Sequence, residues 1–340
     1  METPLVTVVV PCYNERKYIE KCIVSILNQS IAPEQAEVLI VDGMSNDGTR
    51  EILFGLREKT GRFRILDNER QKTPFARNIG IKEAKGIYIA ILDAHSEYEK
   101  DYLVNSLKLF DEHPEISCAG GPIESAGLSG FGKATAISMS HPLGVGNAKH
   151  RFPKYEGYAE GACFPVFKRD VFNKIGDFDE RFIRNQDDEF NLRMREKGLT
   201  VFISPKAKCT YYVRETPAAL FKQYFNYGFW RMAVIKKHKT PMSFRQLVPA
   251  IFLISIIFSI LISPYIHINA LFTIFLIPGL YLFVLFIASV FIMTKKGIKT
   301  GFLFIFSTVI LHISYALGFI AGFVKFIIKS KHFNSRRNSQ

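Results

Sequence analysis

The sequence predicts an α/β fold: a Rossmann-like, mostly parallel sheet with helices on both faces, followed by an interfacial helix and C-terminal transmembrane helices. Three observations predict it. Short β-branched runs alternate with segments of helical apolar spacing, separated only by short turns; this is the pattern of parallel strands joined by right-handed crossovers. Asp42 and Asp93 stand where two of these runs end, and such sheets bind ligands at the carboxyl ends of their strands. From Leu247 onward, charges nearly vanish inside three apolar blocks, as expected of membrane spans.

The elements follow in order. Val6 to Val10 is a β-branched run suited to a strand buried on both faces. Asn14 is placed to cap a helix carrying Ile19, Cys22, Ile23, Ile26 and Leu27 at helical spacing. Val38 to Val41 forms the second strand, ending at Asp42, and the turn GMSNDGT leads into a helix with Ile52, Leu53 and Leu56 on one face. Phe63 to Leu66 is the third strand. Thr73-Pro74 opens a helix with threonine at the cap, and Ile87 to Leu92 is a strand running into Asp93-Ala94-His95. Ser125 to Tyr158, rich in Gly, Ser and His, is expected to form loops. Asn185 is placed to cap a helix ending at Gly198, with Asp187, Asp188 and Glu189 in its first turn and Arg193, Arg195 and Lys197 later, matching the helix dipole.

Ala218 to Lys237 reads as an aromatic-dense amphipathic helix with a basic end, suited to the headgroup region. The apolar blocks Leu247–Ser263, Ile268–Met293 and Phe302–Ile328 would be about 26, 39 and 40 Å long as helices, against a hydrocarbon core of about 30 Å. Pro278-Gly279 is a kink site in the second. The expected organisation is a catalytic domain over 1–215, an amphipathic interfacial segment over 216–245, about three transmembrane helices over 246–328 and a basic tail over 329–340. Three crossings from a cytoplasmic domain place Thr294–Thr300, with its three lysines, inside. They also place the basic tail outside, against the positive-inside tendency.

The net charge of +13 over 340 residues is concentrated beside the apolar blocks, in Lys236-Lys237-His238-Lys239, Lys295-Lys296 and Arg336-Arg337. That placement suits membrane lipids with anionic headgroups and argues against nucleic acid as a partner. Five cysteines, an odd number without C-x-x-C spacing, argue against a zinc site or a disulfide framework and for a reducing compartment. The first apolar run is short and stops at Pro11, unlike a signal peptide, so the globular part is expected in the cytoplasm. Gly127 to Lys133 fits G-x-x-x-x-G-K, but Ala134 follows where a phosphate-binding loop needs Ser or Thr. His312, inside the last apolar block, reads as a helix-packing polar group.

Asp93, at a strand end, and His95, two residues on, suit a divalent cation, manganese better than calcium because of the imidazole. Successive helix residues point about 100° apart, so only one of the adjacent acids Asp187, Asp188 and Glu189 can face a given ligand.

In this order, the motifs VVVPCYNE, VDGMSNDGT, ARN-x-G, LDAHS and NQDDEF resemble the family-two inverting glycosyltransferases of GT-A fold, among them the membrane-anchored group that builds succinoglycan-type exopolysaccharides. The resemblance spans Val6 to about Gly198. It implies a nucleotide-sugar donor, a divalent metal (Mn2+ or Mg2+) and a lipid-linked saccharide acceptor. It further implies that Pro11, Tyr13, Asn14, Glu15, Asp42, Arg77 and Asp93 bind the donor, with Asp42 on the base or ribose. Asp93 and His95 would hold the metal, histidine replacing the second carboxylate of D-x-D. Asp187 would be the general base, with Gln186 and Asp188 beside it, and Gln223 and Trp230 would lie on the acceptor side. Gly43 stands where many relatives have a second aspartate, and Gln186 where they have glutamate. The enzyme is thus expected at the inner membrane with its catalytic domain cytoplasmic. It would extend a polyprenyl-diphosphate-linked saccharide from a UDP-sugar. Alternatives are a polyprenyl-phosphate sugar synthase, a processive polysaccharide synthase (for which the Q-x-x-R-W spacing is missing) and a non-catalytic membrane scaffold.

Overall fold

A computed structural model describes residues 3–241, 243–262 and 270–329. In chain order the elements are β1 (Val6–Cys12), α1 (Ile19–Leu27), β2 (Ala36–Asp42), α2 (Thr49–Thr60), β3 (Arg64–Asp67), α3 (Thr73–Glu83), β4 (Tyr88–Ile91), β5 (Ser96–Tyr98), α4 (Tyr102–Glu112), β6 (Cys118–Gly120) and β7 (Ile123–Ala126). Then come α5 (Gly130–Ser138), α6 (Pro142–Val145), β8 (Gly157–Ala159), β9 (Val166–Lys168), α7 (Asp170–Ile175), α8 (Gln186–Glu196), β10 (Val201–Ile203) and β11 (Cys209–Tyr212). The helices α9 (Pro217–His238), α10 (Val248–Ile262), α11 (Ala270–Lys296) and α12 (Ile298–Phe323) complete the chain, the last continuing into a π-helical turn at Val324–Ile328. These elements form two compact units, 1–125 with 148–212 and 126–147 with 213–340.

In the first unit, an eight-stranded sheet runs in the order β3-β2-β1-β4-β9-β6-β10-β8. Strands β3, β2, β1 and β4 are parallel, and β9 is antiparallel to both its neighbours. The register pairs Cys12 with Asp42 and Asp42 with Asp67, which lines up the ends of three strands at one rim. The β-branched run of β1 is buried on both faces, as its composition requires. Val9, Val41, Ile91, Phe167 and Phe190 share one apolar cluster under α3, α7 and α8. Helix α3 lies close on β1 because Gly80 lacks a side chain: a Cβ there would come 2.2 Å from Val9 Cγ1.

The second unit joins a segment from mid-chain to the C-terminal helices. Ser125–Tyr158 is not the run of loops expected from its weak periodicity, since it contains α5, α6 and β8. The buried face of α5 consists of small residues, Gly132, Ala134, Thr135, Ala136 and Ser138, so no stripe of large apolar side chains marks it. Small residues let backbones approach and hydroxyls pair. Ser138 Oγ accordingly lies 2.7 Å from Ser307 Oγ and 2.9 Å from Thr308 Oγ1 of α12. Helices α9 and α12 meet along glycines: a Cβ on Gly228 would lie 2.0 Å from Tyr315 O, and one on Gly318 2.0 Å from Phe225 O. His312 Nε2 reaches Gly144 O at 3.2 Å, so that nitrogen carries the proton and Nδ1 accepts from Tyr281 Oη at 2.9 Å. The histidine thus joins α12 to α11 and α6.

The G-x-x-x-x-G-K stretch has its own explanation. The Glu215 carboxylate accepts the Leu128 and Ser129 N–H groups, both at 2.8 Å, at the start of α5, a position that favours an anion. A side chain on Gly132 would come 2.1 Å from Glu215 Oε2. The glycine therefore makes room for a carboxylate of the chain itself.

Two stretches, Leu276–Lys296 and Ile298–Ile328, are long and apolar enough to cross a membrane; the apolar stretch Val248–Leu261 is shorter. Helix α11 continues through Pro278. The start of the second apolar block at Ile268 and the tail beyond Lys329 lie outside the described residues.

Candidate active site

The loops after β1 and β2 are laced together at the carboxyl rim. Asn14 does not cap α1, which begins at Ile19 with Tyr18 at the cap position. Its φ of 56° is left-handed, whereas a side-chain cap needs extended backbone. Its N–H donates to Ser45 Oγ at 2.8 Å, and its Oδ1 accepts the Asn46 N–H at 3.0 Å. The Glu15 N–H donates to Thr49 Oγ1 at 2.9 Å. Pro11 is half-buried at the end of β1. Tyr13 is exposed and lies over Gly43, where an added Cβ would stand 3.0 Å from Tyr13 Cδ2. Gly43 thus forms the seat of this ring.

Asp42 is fully buried and both its oxygens are used. Oδ1 accepts from Ser45 Oγ at 2.5 Å and Oδ2 from the Ser45 N–H at 3.0 Å. Arg50 Nη1 adds an ion pair to Oδ2 at 2.7 Å and a second to Asp67 Oδ1 at 2.8 Å. With no exposed surface, the Asp42 carboxylate meets a nucleoside only if Arg50 or Ser45 moves aside. Asp67 is the open member of this pair, its side chain 55% exposed. It escaped notice in the sequence, although it too is an acid at a strand end.

Asp93 follows β4, and one buried phenol holds both its backbone groups: its N–H donates to Tyr98 Oη at 2.8 Å, and Tyr98 Oη–H donates to its carbonyl at 3.1 Å. Burial pushes the Tyr98 pKa well up, so it keeps this proton. The Asp93 carboxylate is half-buried and has no hydrogen-bond or ion-pair partner among the described residues. His95 Nδ1 stands 3.5 Å from Glu15 Oε1, which joins the β1 loop to the D-x-H turn.

Helix α8 separates its three acids. Glu189 is fully buried in an ion pair with Arg193 at 2.9 Å, and is therefore structural. Asp187 is exposed, its Oδ1 accepting the Asp188 N–H at 3.0 Å, and Asp188 is half-buried. Gln186 is buried, and its Oε1 has no partner among the described residues. Asn185 sits at the cap position, but its φ of 56° is left-handed and its side chain makes no capping bond. Thr73 likewise falls inside α3 instead of capping it, Lys72 taking that place.

Two further contacts place α8. Asn78 of α3 accepts the Phe178 N–H at 3.0 Å and donates to the Phe178 carbonyl at 2.9 Å. Phe178 stacks on Phe190 of α8, ring centres 4.3 Å apart. Arg77 is buried with its guanidinium 4.9 Å from the Phe178 ring centre, and its Nε has no partner among the described residues. Sequence reasoning quoted Asn78 within ARN-x-G without giving it a role, and passed over Phe178, because neither residue type suggests chemistry.

Cys163 relates the two acidic elements. Its thiol is pushed up to about 12, chiefly by burial; Arg151 opposes the rise, while Asp187, Asp93 and Asp188 add to it. Glu15 links the other side, raising Cys12 together with Asp42 and Cys22 together with Asp93, after burial in each case. Gln223 and Trp230 belong to the second unit. Gln223 Nε2 donates to Tyr227 Oη at 3.1 Å, and Trp230 packs against Phe229 and Phe326.

Among the described residues, no group of three or more His, Cys, Asp or Glu side chains could hold a metal ion. A cation bound by one or two protein ligands plus substrate phosphates needs no such cage. The unpaired Asp93 carboxylate and the nearby His95 imidazole fit that smaller requirement.

A sheet of this topology, with carboxylates gathered at its carboxyl rim, has the GT-A fold of a glycosyltransferase. The chain belongs to glycosyl transferase family 2, whose family model matches residues 7–176, and the protein is a glycosyltransferase. It is 33% identical over 246 residues to the succinoglycan biosynthesis protein ExoA of Rhizobium meliloti (strain 1021), covering 71% of this chain and 73% of that protein. It is 29% identical over 239 residues, 68% of this chain and 74% of the relative, to a Methanococcus voltae dolichyl N-acetyl-alpha-D-glucosaminyl phosphate 3-beta-D-2,3-diacetamido-2,3-dideoxy-beta-D-glucuronosyltransferase. The fold is similar to that of the mannosyltransferase PcManGT from Pyrobaculum calidifontis, solved with GDP-Man and Mn2+, with a TM-score of 0.58 at 18% identity over 94% of this chain and 88% of that one.

Proposed function

We propose that this enzyme transfers a sugar, with inversion, from a UDP-sugar to a polyprenyl-diphosphate-linked saccharide at the cytoplasmic face of the cell membrane, in cell-surface polysaccharide synthesis. The observation that carries the reading is the Asp93 carboxylate, without a partner among the described residues and two positions from His95, with exposed Asp187 at the start of α8 in the same unit. Further support comes from the relatives' names, one in succinoglycan synthesis and one acting on a dolichyl-linked sugar, and from the two apolar helices of membrane-crossing length.

In this reading the acceptor oxygen bonds to the anomeric carbon as the bond from that carbon to the diphosphate oxygen breaks. Asp187 takes the acceptor hydroxyl's proton as the attack proceeds in line. Asp93 and His95 would hold a divalent cation, which would supply Lewis-acid stabilisation of the departing diphosphate. Tyr13, Asn14, Glu15 and Arg77 line the donor site, with Pro11 shaping the turn. Asp42 acts through Ser45 and Arg50. Gln186 and Asp188 flank the base, and Gln223 and Trp230 serve the acceptor side.

The test supplies purified protein with manganese, radiolabelled UDP-sugars and a polyprenyl-diphosphate disaccharide. Acceptor-dependent label in the lipid fraction, one sugar longer, is expected. Label on bare polyprenyl phosphate, or in long polymer without acceptor, would replace this reading with the corresponding synthase.

A further inference from the structure

Within the second unit, a cleft of about 540 Å3 opens between α11 and the α5–α6 segment. Its walls are apolar: Ile137 of α5, Leu143, and Val284, Ile287 and Phe291 of α11. Its polar groups are Lys295 and Lys296, at the carboxyl end of α11, and His141. From Val284 to Lys296 the helix advances about 18 Å, so an elongated apolar wall leads to two ammonium groups. His141 Nδ1 accepts the Leu143 N–H at 3.1 Å, which leaves its other nitrogen as a donor. Burial lowers the imidazole's pKa, so this donor is neutral near pH 7.

We propose that this cleft binds the polyprenyl diphosphate of the acceptor, its first isoprene units along the α11 wall and its phosphates on Lys295, Lys296 and His141. The inference rests on the lipid-linked acceptor of the preceding section. Charge complementarity selects an anionic head, since both formal charges in the cleft are positive and no carboxylate lines it. The volume falls in the range of a single small ligand, which suits one chain better than a two-tailed phospholipid. The acceptor supplies that combination of one long apolar chain and a strongly anionic end.

The test uses full-length protein in nanodiscs of phosphatidylethanolamine and phosphatidylglycerol, with a diazirine-bearing polyprenyl diphosphate as the probe. Photolabelling should map by mass spectrometry to α11 and to 130–145. Ile287→Trp, which fills the cleft, should abolish it. Lys295→Gln with Lys296→Gln should weaken half-maximal labelling by about tenfold or more. Leu280→Trp, on α11 outside the cleft lining, should leave labelling unchanged and controls for folding and insertion. Labelling that survives Ile287→Trp, or that phosphatidylglycerol competes as well as unlabelled probe does, overturns the assignment and makes the cleft part of the ordinary lipid boundary. Labelling needs no sugar transfer. Absent transfer with intact labelling would therefore count against the acceptor reading of the preceding section and not against the cleft.

Discussion

Asn78 grips Phe178 by both backbone groups, accepting its N–H at 3.0 Å and donating to its carbonyl at 2.9 Å. Phe178 in turn stacks on Phe190, four residues past the start of α8. The position of Asp187 is thus tied to α3 through one amide and two rings. Arg193 ties the same loop from the other side, donating to the Ile175 and Asp177 carbonyls at 2.5 and 2.8 Å.

Asn78→Ala should loosen that tie without removing a chemical group. A misplacement of about 1 Å can cost on the order of a hundredfold in rate. Steady-state kinetics are expected to show kcat falling by about ten- to a hundredfold, with the donor KM changed by less than about threefold. An equal loss in both parameters would mean that Asn78 supports donor binding instead.

Asp187→Asn keeps size and polarity and removes the proposed base. Proton transfer by a positioned side chain contributes about a hundred- to ten-thousandfold, and transfer should fall by that much. Nucleotide binding measured by calorimetry should persist. Asp188→Asn, next along α8, is expected to cost far less; the reverse order would move the base to Asp188.

Asp93→Ala removes the unpaired carboxylate beside His95. Calorimetric titration with UDP-sugar should show binding that manganese strengthens in the unaltered protein and no longer strengthens in the variant. Since the Asp93 backbone is held by Tyr98, its loop should keep its form, and thermal unfolding should shift little.

The Cys163 thiol, with an ordinary value of 9.0, is pushed up to about 12 in the folded protein, chiefly by burial. A raised pKa means that the folded state binds the proton more tightly. This group therefore adds stability that is fully present below about pH 9 and is lost as pH climbs toward 12. At pH 8, Cys163 should resist alkylation until denaturant is added, because the thiolate is the nucleophile. Peptide mapping after iodoacetamide treatment checks this, and prompt native labelling would contradict it.

Much of the sheet was legible in the sequence because its central strands carry local signals: the β-branched run of β1 and the acids that close β2 and β4 need no tertiary information. The caps misled for a physical reason. Asn favours helix starts and tolerates left-handed backbone alike, and at Asn14 and Asn185 the second property prevails. Helix α5 was hidden because its contact face is built from small residues, whose value lies in what comes close to them. The link from Asp42 to Asp67 through Arg50 joins three elements, and no window of sequence displays it. The role of Asn78, though it belongs to the ARN-x-G motif, was invisible for the same reason, its partner lying 100 residues away.

The hydroxyl cluster between α5 and α12 sets a timetable for biosynthesis. Ser138 and Ser307 are 169 positions apart, which at roughly 5–20 residues per second leaves about 8 to 34 s between their emergence from the ribosome. Throughout that interval the early helix has been made but its counterpart has not. A nascent chain halted before Ile298 is left with an unmatched polar seam, so truncations late in the gene should be cleared by quality control even when every catalytic residue has been translated.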